Sequence, residues 1–398
     1  MTSTLAPADR RLYRRVRADP RDSFSADEIE LTRSYRRPLR RVGIAGSVLS
    51  AAVLVLVVVF QAGARIPRVF GIGDWRLRVI AVTTAIIVAG AVVRLPLGLW
   101  AELVHERRWG FGRQTLRGVL IDRAKGVVIG ALIANAALLG LWWLLRSTRW
   151  WWLLGWLGMT WLTLLLTFAA PVVLAPLFNR FRSLEDDDLR REAIGLGEAA
   201  GVPIRDVLVM DASRRTAKHN AYFTGIGRTK RVVLWDNLLR DFDRDSIRLV
   251  LAHELAHWRR RHVLLGAAGA AAGSLAAFVV LRSLLAQRAV LELAGARGRG
   301  DPALIPVVLL AFALMGGVTG PLQQWVSRAW ERQADLDAMS MTNDPIAFVR
   351  MERELALKNQ SEIAPSRWAY LLSSHPPPEE RIALVKEWEA GRAVPQPH

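Results

Sequence analysis

The chain contains no cysteine among its 398 residues, which excludes disulfides, thiolate metal sites and cysteine nucleophiles. Any metal must therefore be held by His, Asp or Glu. Histidine is scarce, at seven residues, and lysine occurs only at Lys125, Lys218, Lys230, Lys358 and Lys386. Positive charge is thus nearly all arginine, a bias that reads as a GC-rich bacterial genome. Internal repeats of the solenoid kind are absent, as are low-complexity tracts beyond one Ala/Gly-rich run.

Apolar residues, by contrast, are abundant: 52% of the chain is hydrophobic and the mean hydropathy is +0.20. Segments 42–64, 79–100, 126–145, 151–178, 263–286 and 303–326 are each long enough for a helix to cross a bilayer, which takes roughly 20 apolar residues. Arg94, Pro96, Pro171, Pro176 and Arg282 interrupt three of them. The competing reading makes some of these segments buried helices of a soluble core. A cleaved signal peptide is not expected, because a basic stretch precedes the first segment and its apolar run is too long.

The formal charge of +18 could suggest nucleic acid, but its distribution argues against such a partner. Arg10, Arg11, Arg14, Arg15, Arg17, Arg33, Arg36, Arg37, Arg40 and Arg41 all precede the first span, and basic residues collect on the cytoplasmic side of membranes. This places the N-terminus, loop 101–125, segment 179–262 and the tail 327–398 in the cytoplasm. Loop 65–78, with Arg65, Arg68, Arg76 and Arg78, runs against the rule. The expected partner of the basic arm is anionic membrane lipid, at about 1 kcal/mol for each Arg near the surface.

The expected fold is a mostly α-helical polytopic membrane protein with about six transmembrane helices and a small cytoplasmic α/β domain. Its parts are a basic cytoplasmic arm (1–41), four spans (42–178), a soluble segment (179–262), two spans (263–326) and a C-terminal cytoplasmic segment (327–398). In the arm, Ser25 and Asp27 could begin a short helix, the alternative being a disordered anchor. The soluble segment reads as a helix at 184–200 stopped by Gly201 and Pro203, then strands at 206–210 and 231–235. A hairpin holds Tyr222, Phe223, Val232, Val233 and Trp235, with Gly225 and Gly227 in its turn. From Asp243 or Asp245 a helix runs through Ile247, Val250, Leu251, Leu255 and Trp258 and is expected to continue into the fifth span.

That helix carries His253-Glu254-Leu255-Ala256-His257, an H-E-x-x-H motif. Two His four residues apart lie about 40° from each other around a helix, so both imidazoles can reach one ion. A zinc ion held by two neutral His and a carboxylate keeps a position open for water, lowers that water's pKa and polarises a peptide carbonyl. Glu254 is then placed to take the water's proton. The bland alternative, two solvated or core histidines, would leave Glu254 in an apolar turn without a partner, which is costly.

A third ligand is expected after the sixth span, on the side where the helix began. Glu331 and Asp335 stand there, one helical turn apart. The natural division puts Glu331 on the metal and Asp335 behind a ligand His, accepting its free N–H. From spacing alone, an exposed helix with ordinary carboxylates explains them equally well.

At this point the chain resembles the Ste24-type CAAX prenyl protease family, the zinc metalloproteases of peptidase family M48. The resemblance runs through Leu95-Pro96 with Trp109-Gly110-Phe111-Gly112, Ala175-Pro176-Leu177-Phe178-Asn179, Lys218 to Phe223, Lys230 to Leu234, His253 to Trp258, Glu331 to Asp335, and Ser374-His375-Pro376 with Glu380-Arg381-Ile382. It covers roughly residues 70 to 390. It implies a zincin-like domain with one Zn2+ per chain on His253, His257 and Glu331, and Glu254 as general base. Asp335 would be a proton donor or an orienting group, and His375 and Arg381 would stabilise the tetrahedral oxyanion. Asn220, Ala221 and Tyr222 match an edge strand on which a peptide or membrane-protein substrate would lie extended.

The implied activity is a membrane-integrated zinc metalloendopeptidase of the bacterial plasma membrane, its site facing the cytoplasm. Eukaryotic members have seven spans, against six counted here. A quality-control protease of the HtpX type is the alternative within the enzyme class. A catalytically idle scaffold of the same fold is the alternative outside it, and a transporter is a third. The intact set of base, ligands and acid speaks against the scaffold; only Arg94 and Arg282 could line a transporter's path.

Overall fold

The computed structural model describes residues 15–16, 18–225 and 230–393. Arg10, Arg11, Arg14, Arg17 and Gly227 lie outside the described residues. Among the described residues, nine longer helices carry the fold: α1 (Ala26–Val59), α2 (Trp75–Leu99), α3 (Leu116–Ser147), α4 (Trp151–Ala169), α5 (Arg244–Arg259), α6 (His262–Leu284), α7 (Ile305–Thr342), α8 (Pro345–Lys358) and α9 (Pro378–Ala393). Four strands among these residues form one sheet: β1 (Phe181–Ser183), β2 (Asp206–Met210), β3 (Ala221–Thr224) and β4 (Arg231–Trp235). The chain divides into two compact units, one built from 39–167 and 266–319, the other from the remainder.

Among the described residues, six helical stretches are long and apolar enough to cross a membrane, beginning at Ala26, Trp75, Leu116, Trp151, His262 and Pro302. Several extend well beyond the apolar runs that mark them in the sequence. α1 starts at a capping box in which Ser25 Oγ accepts the Glu28 N–H and the Glu28 carboxylate accepts the Ser25 N–H. It then continues through Pro38 into the first span, so residues 26–41 are helical. α7 likewise leaves the sixth span and runs on to Thr342 without a break.

The first unit is held by contacts among these spans. Val79, Val82, Leu141, Trp142, Phe278, Leu304 and Val308 form its buried core, while Val92, Leu132, Trp161 and Val318 stay exposed. Apolar side chains on both faces are what a helix needs when its outer solvent is lipid. The indole N–H of Trp156 donates to the Ala271 carbonyl at 2.8 Å. Arg282 lies over the Trp152 ring, 5.2 Å from its centroid, which gives this basic group an electrostatic partner.

Gly110 turns the chain after α2 with φ +76°, and at Gly112 an added Cβ would stand 2.8 Å from the Glu102 carbonyl oxygen. The Gly112→Ala substitution is therefore expected to cost about 1–3 kcal/mol through overpacking. Thermal unfolding of the detergent-solubilised protein measures it, and an unchanged midpoint would show that the segment yields instead.

In the second unit the sheet order is β1-β2-β4-β3, with β2 and β4 parallel and the outer pairs antiparallel. Short β-branched runs such as Val232-Val233 suit these strands. α5 is capped by Asp243, whose carboxylate accepts the Ser246 N–H at 2.8 Å. Its Ile247, Leu251 and Leu255, spaced four apart, are buried with Val207, Val209, Val232 and Leu234. Burying that stripe leaves His253 and His257 on another face, with Glu254 at the edge of the stripe, one residue before Leu255.

One expectation is corrected here: α5 does not continue into the fifth span. It ends at Arg259, Arg261 adopts a left-handed φ of 59°, and α6 begins afresh at His262. A straight continuation would have needed Arg261 in the right-handed region.

Candidate metal centre

Three side chains from two helices converge. His253 Nε2 and His257 Nε2 are 3.2 Å apart, and the two Glu331 carboxylate oxygens lie 3.4 Å from one and 3.4 Å from the other. One donor atom from each falls within 4.8 Å of the other two. α5 supplies the histidines at one-turn spacing and α7 supplies Glu331. Arg260, just past α5, fixes the two helices together by a bidentate pair with Asp337, both contacts at 2.7 Å.

The donor set suits a divalent cation. Glu331 Oε2 is buried and finds no hydrogen-bond donor among the described residues, which is costly unless a cation sits beside it. Burial pulls the His253 imidazole down, but the carboxylates of Asp335 and Glu331 outweigh it and lift it to about 10. Burial and the charge of His253 hold His257 down to about 3. The facing nitrogens and the Glu331 carboxylate form the donor set in which two neutral imidazoles and a carboxylate would hold zinc.

Behind His253 the structure places Asp335, fully buried, whose Oδ1 accepts from Nδ1 at 2.9 Å. That contact leaves Nε2 turned toward the cluster. Arg381 reaches the same carboxylate from α9 with two nitrogens, and its third pairs with Glu352 of α8 at 3.0 Å. Asp335 and Glu352 are buried, and the Arg381 side chain is 12% exposed. Its guanidinium is thus occupied by carboxylates behind the imidazole, 3.4 Å from His253 Nδ1.

His375 comes to the cluster from the opposite side. Its Nε2 lies 3.5 Å from Glu331 Oε2, with the side chain 60% exposed. Ser374 Oγ meets its Nδ1 at 2.7 Å, orienting the ring. Arg328, one helical turn before Glu331 and Arg332, donates to the carbonyls of Tyr370 and Ser373 and so anchors this loop to α7.

Glu254 faces a cleft of about 440 Å3 that also reaches His253, Asn220, Ala221 and His375. Removal from water pushes its carboxyl up to about 7, with the His253 charge pulling the other way. The backbone N–H of Phe223 also pulls it down. Asn220 turns its carbonyl toward β4, where the Trp235 N–H donates to it at 3.1 Å. The alternation of an edge strand then leaves Ala221 and Phe223 as the residues whose backbone groups face away from β4. Tyr222 pairs with Val233 inside the sheet.

Phe223, Glu352, Asn359 and His262 are not among the site residues that the sequence points to. Asn359 grips the start of β3 as a neighbouring strand would: its Oδ1 accepts the His219 N–H at 2.8 Å and its Nδ2 donates to the His219 carbonyl at 2.9 Å. The His219 ring in turn meets Asp241 at 2.8 Å. No local pattern marks a partner 140 residues away.

Comparison with known proteins agrees with this architecture. Residues 183–389 match the sequence profile of peptidase family M48, and residues 9–180 match that of the CAAX prenyl protease N-terminal region, described as five membrane helices. An uncharacterized metalloprotease of Bacillus subtilis, YhfN, is 32% identical across 75% of this chain and 71% of its own length. A CAAX prenyl protease 1 homolog of Arabidopsis thaliana is 29% identical across 74% of this chain and 70% of its own. The crystal structure of S. mikatae Ste24p superposes with a TM-score of 0.82 at 21% identity, covering 94% of this chain and 93% of that one. With six candidate spans among the described residues, a His253-His257-Glu331 cluster and these matches, the chain belongs to peptidase family M48 as a multi-pass membrane member of the Ste24 type.

Proposed function

We propose that the protein is a membrane-integrated zinc metalloendopeptidase in which His253, His257 and Glu331 hold the metal and Glu254 is the general base. The observation that carries this reading is the convergence of three donor atoms within 4.8 Å beside a carboxyl at the edge of a cleft. When bound, Zn2+ would supply Lewis-acid polarisation of a peptide carbonyl and lower the pKa of water. The chain's own groups do the rest. Glu254 takes the proton of the attacking water and returns it to the leaving amine nitrogen.

His375, exposed to the cleft on the far side of Glu331, is placed to donate to the oxyanion that develops on the substrate carbonyl. Asp335 holds the tautomer of His253, and Arg381 holds Asp335. A substrate peptide lies extended along the free edge of β3, next to Asn220, Ala221 and Tyr222, pairing with the outward groups of Ala221 and Phe223. That register brings its scissile carbonyl beside Glu254.

The arginine-rich N-terminal segment and loop 101–125 support an orientation with this site facing the cytoplasm of a bacterial cell. Several relatives are named CAAX prenyl proteases, which makes a C-terminal, membrane-tethered peptide the first substrate to try.

The test is direct. Detergent-purified protein is expected to carry one zinc and to cleave peptides. Chelation should abolish cleavage, zinc should restore it, and His257→Ala should bind no stoichiometric metal. Cleavage that survives complete metal removal would sink the proposal.

A further inference from the structure

His262 is buried, yet it contributes nothing to the mechanism above. It follows His257 by five residues, and on a continuous helix that interval would turn it about 140° away. The left-handed Arg261 breaks the helix between them and brings His262 back, so that its Nδ1 lies 3.0 Å from His257 Nδ1. The His262 ring stacks on Trp330 with the planes 7° apart, and its Nε2 faces Gln333 Oε1 at 3.1 Å. Trp330 and Gln333 flank Glu331 on α7.

The hydrogen-bond inventory then fixes a direction. Gln333 Oε1 can only accept, so His262 Nε2 carries the proton and a neutral His262 presents a lone pair at Nδ1. His257 Nδ1 must therefore be the donor, which leaves His257 Nε2 as a lone pair aimed at His253 and Glu331. A Gln333 amide turned the other way would reverse every bond in the chain and put a hydrogen on His257 Nε2, where the metal has to bind.

We propose that His262 is a positioning residue for the metal: it accepts the Nδ1–H of His257 and holds the other nitrogen of that ligand toward the ion, with Gln333 setting the direction. The two histidine ligands are then supported unequally. His253 is backed by the carboxylate of Asp335 and His257 by an uncharged imidazole. This inference rests on the reading of His253, His257 and Glu331 as metal ligands.

The experiment compares zinc affinity, by chelator competition, in full-length detergent-purified protein carrying His262→Phe, His262→Asn or Gln333→Leu. The Co2+-substituted forms report the ligand geometry through their visible spectra. Phe keeps the stacking on Trp330 but has no acceptor, whereas Asn places an oxygen near the position of Nδ1. His262→Phe is expected to weaken zinc binding about 10–100-fold and to alter the Co2+ spectrum. Asn should recover most of the affinity, and Gln333→Leu should weaken binding in the same direction.

Thermal unfolding of the metal-free forms identifies any variant that fails to fold, in which case Gln333→Leu carries the test. If the wild type holds one zinc and both His262→Phe and Gln333→Leu bind it equally well with an unchanged spectrum, the positioning role is wrong and the ligand assignment stands. Asn as weak as Phe would also overturn it, since loss of ring packing would then explain both. A wild type that binds no zinc removes the ligand assignment itself.

Discussion

Glu254→Gln should leave zinc bound and lower kcat by about 10^2–10^4-fold, the usual worth of a positioned general base. The substitution keeps the shape of the side chain and its place beside Phe223, but an amide cannot take up a proton at the pH of the reaction. Zinc content measured beside peptide hydrolysis checks both halves. A variant that keeps its metal and cleaves at the wild-type rate would assign the base elsewhere.

The same carboxyl sets the pH dependence. Burial lifts it to about 7 in the metal-free site, and the charge of a bound cation pulls it down again. Only the ionised form accepts a proton, so kcat/KM of the wild type should rise with pH along an acid limb whose midpoint falls at or below about 7. Glu254→Gln should lack that limb.

Arg381→Met is expected to be the most destabilising single change at the site, at about 3–5 kcal/mol, because it strips the counter-charge from buried carboxylates. The guanidinium holds Asp335 and Glu352 together, and burial already pushes Glu352 up to about 7 with Arg381 restraining it. Without Arg381 the Glu352 carboxyl is pushed further above its unfolded value, because burial is no longer opposed by the guanidinium. Its penalty then grows as pH rises through the folded value and shrinks as pH falls. Denaturant unfolding of the metal-free variant should show a smaller loss at about pH 6 than at about pH 8. Adding Glu352→Gln should recover part of it, as a double-mutant cycle resolves. Additive losses would mean that Arg381 and Glu352 do not act as a pair.

The sequence by itself determined what depends on local spacing. Long apolar runs mark the spans because a helix of fixed rise has to cover a fixed thickness of hydrocarbon. H-E-x-x-H places His253 and His257 on one face because 3.6 residues complete a turn, and the same period puts Glu331 and Asp335 together on α7. Asp243 announces the start of α5 through its acceptor side chain.

Only the tertiary structure decided which distant groups meet. Arg381 reads from the sequence as a group for the oxyanion by resemblance alone, while in the fold it is bound to Asp335 and Glu352 behind His253. Asn359 and Phe223 take their roles from strand pairing, whose partners are set by the sheet and not by neighbours in the chain. His262 shows the limit most plainly. Helical periodicity turns it away from His257, and a single left-handed residue, Arg261, returns it to contact. A one-residue change of backbone basin leaves no trace in the apolar pattern, since that pattern records which faces are buried and not where a helix is interrupted.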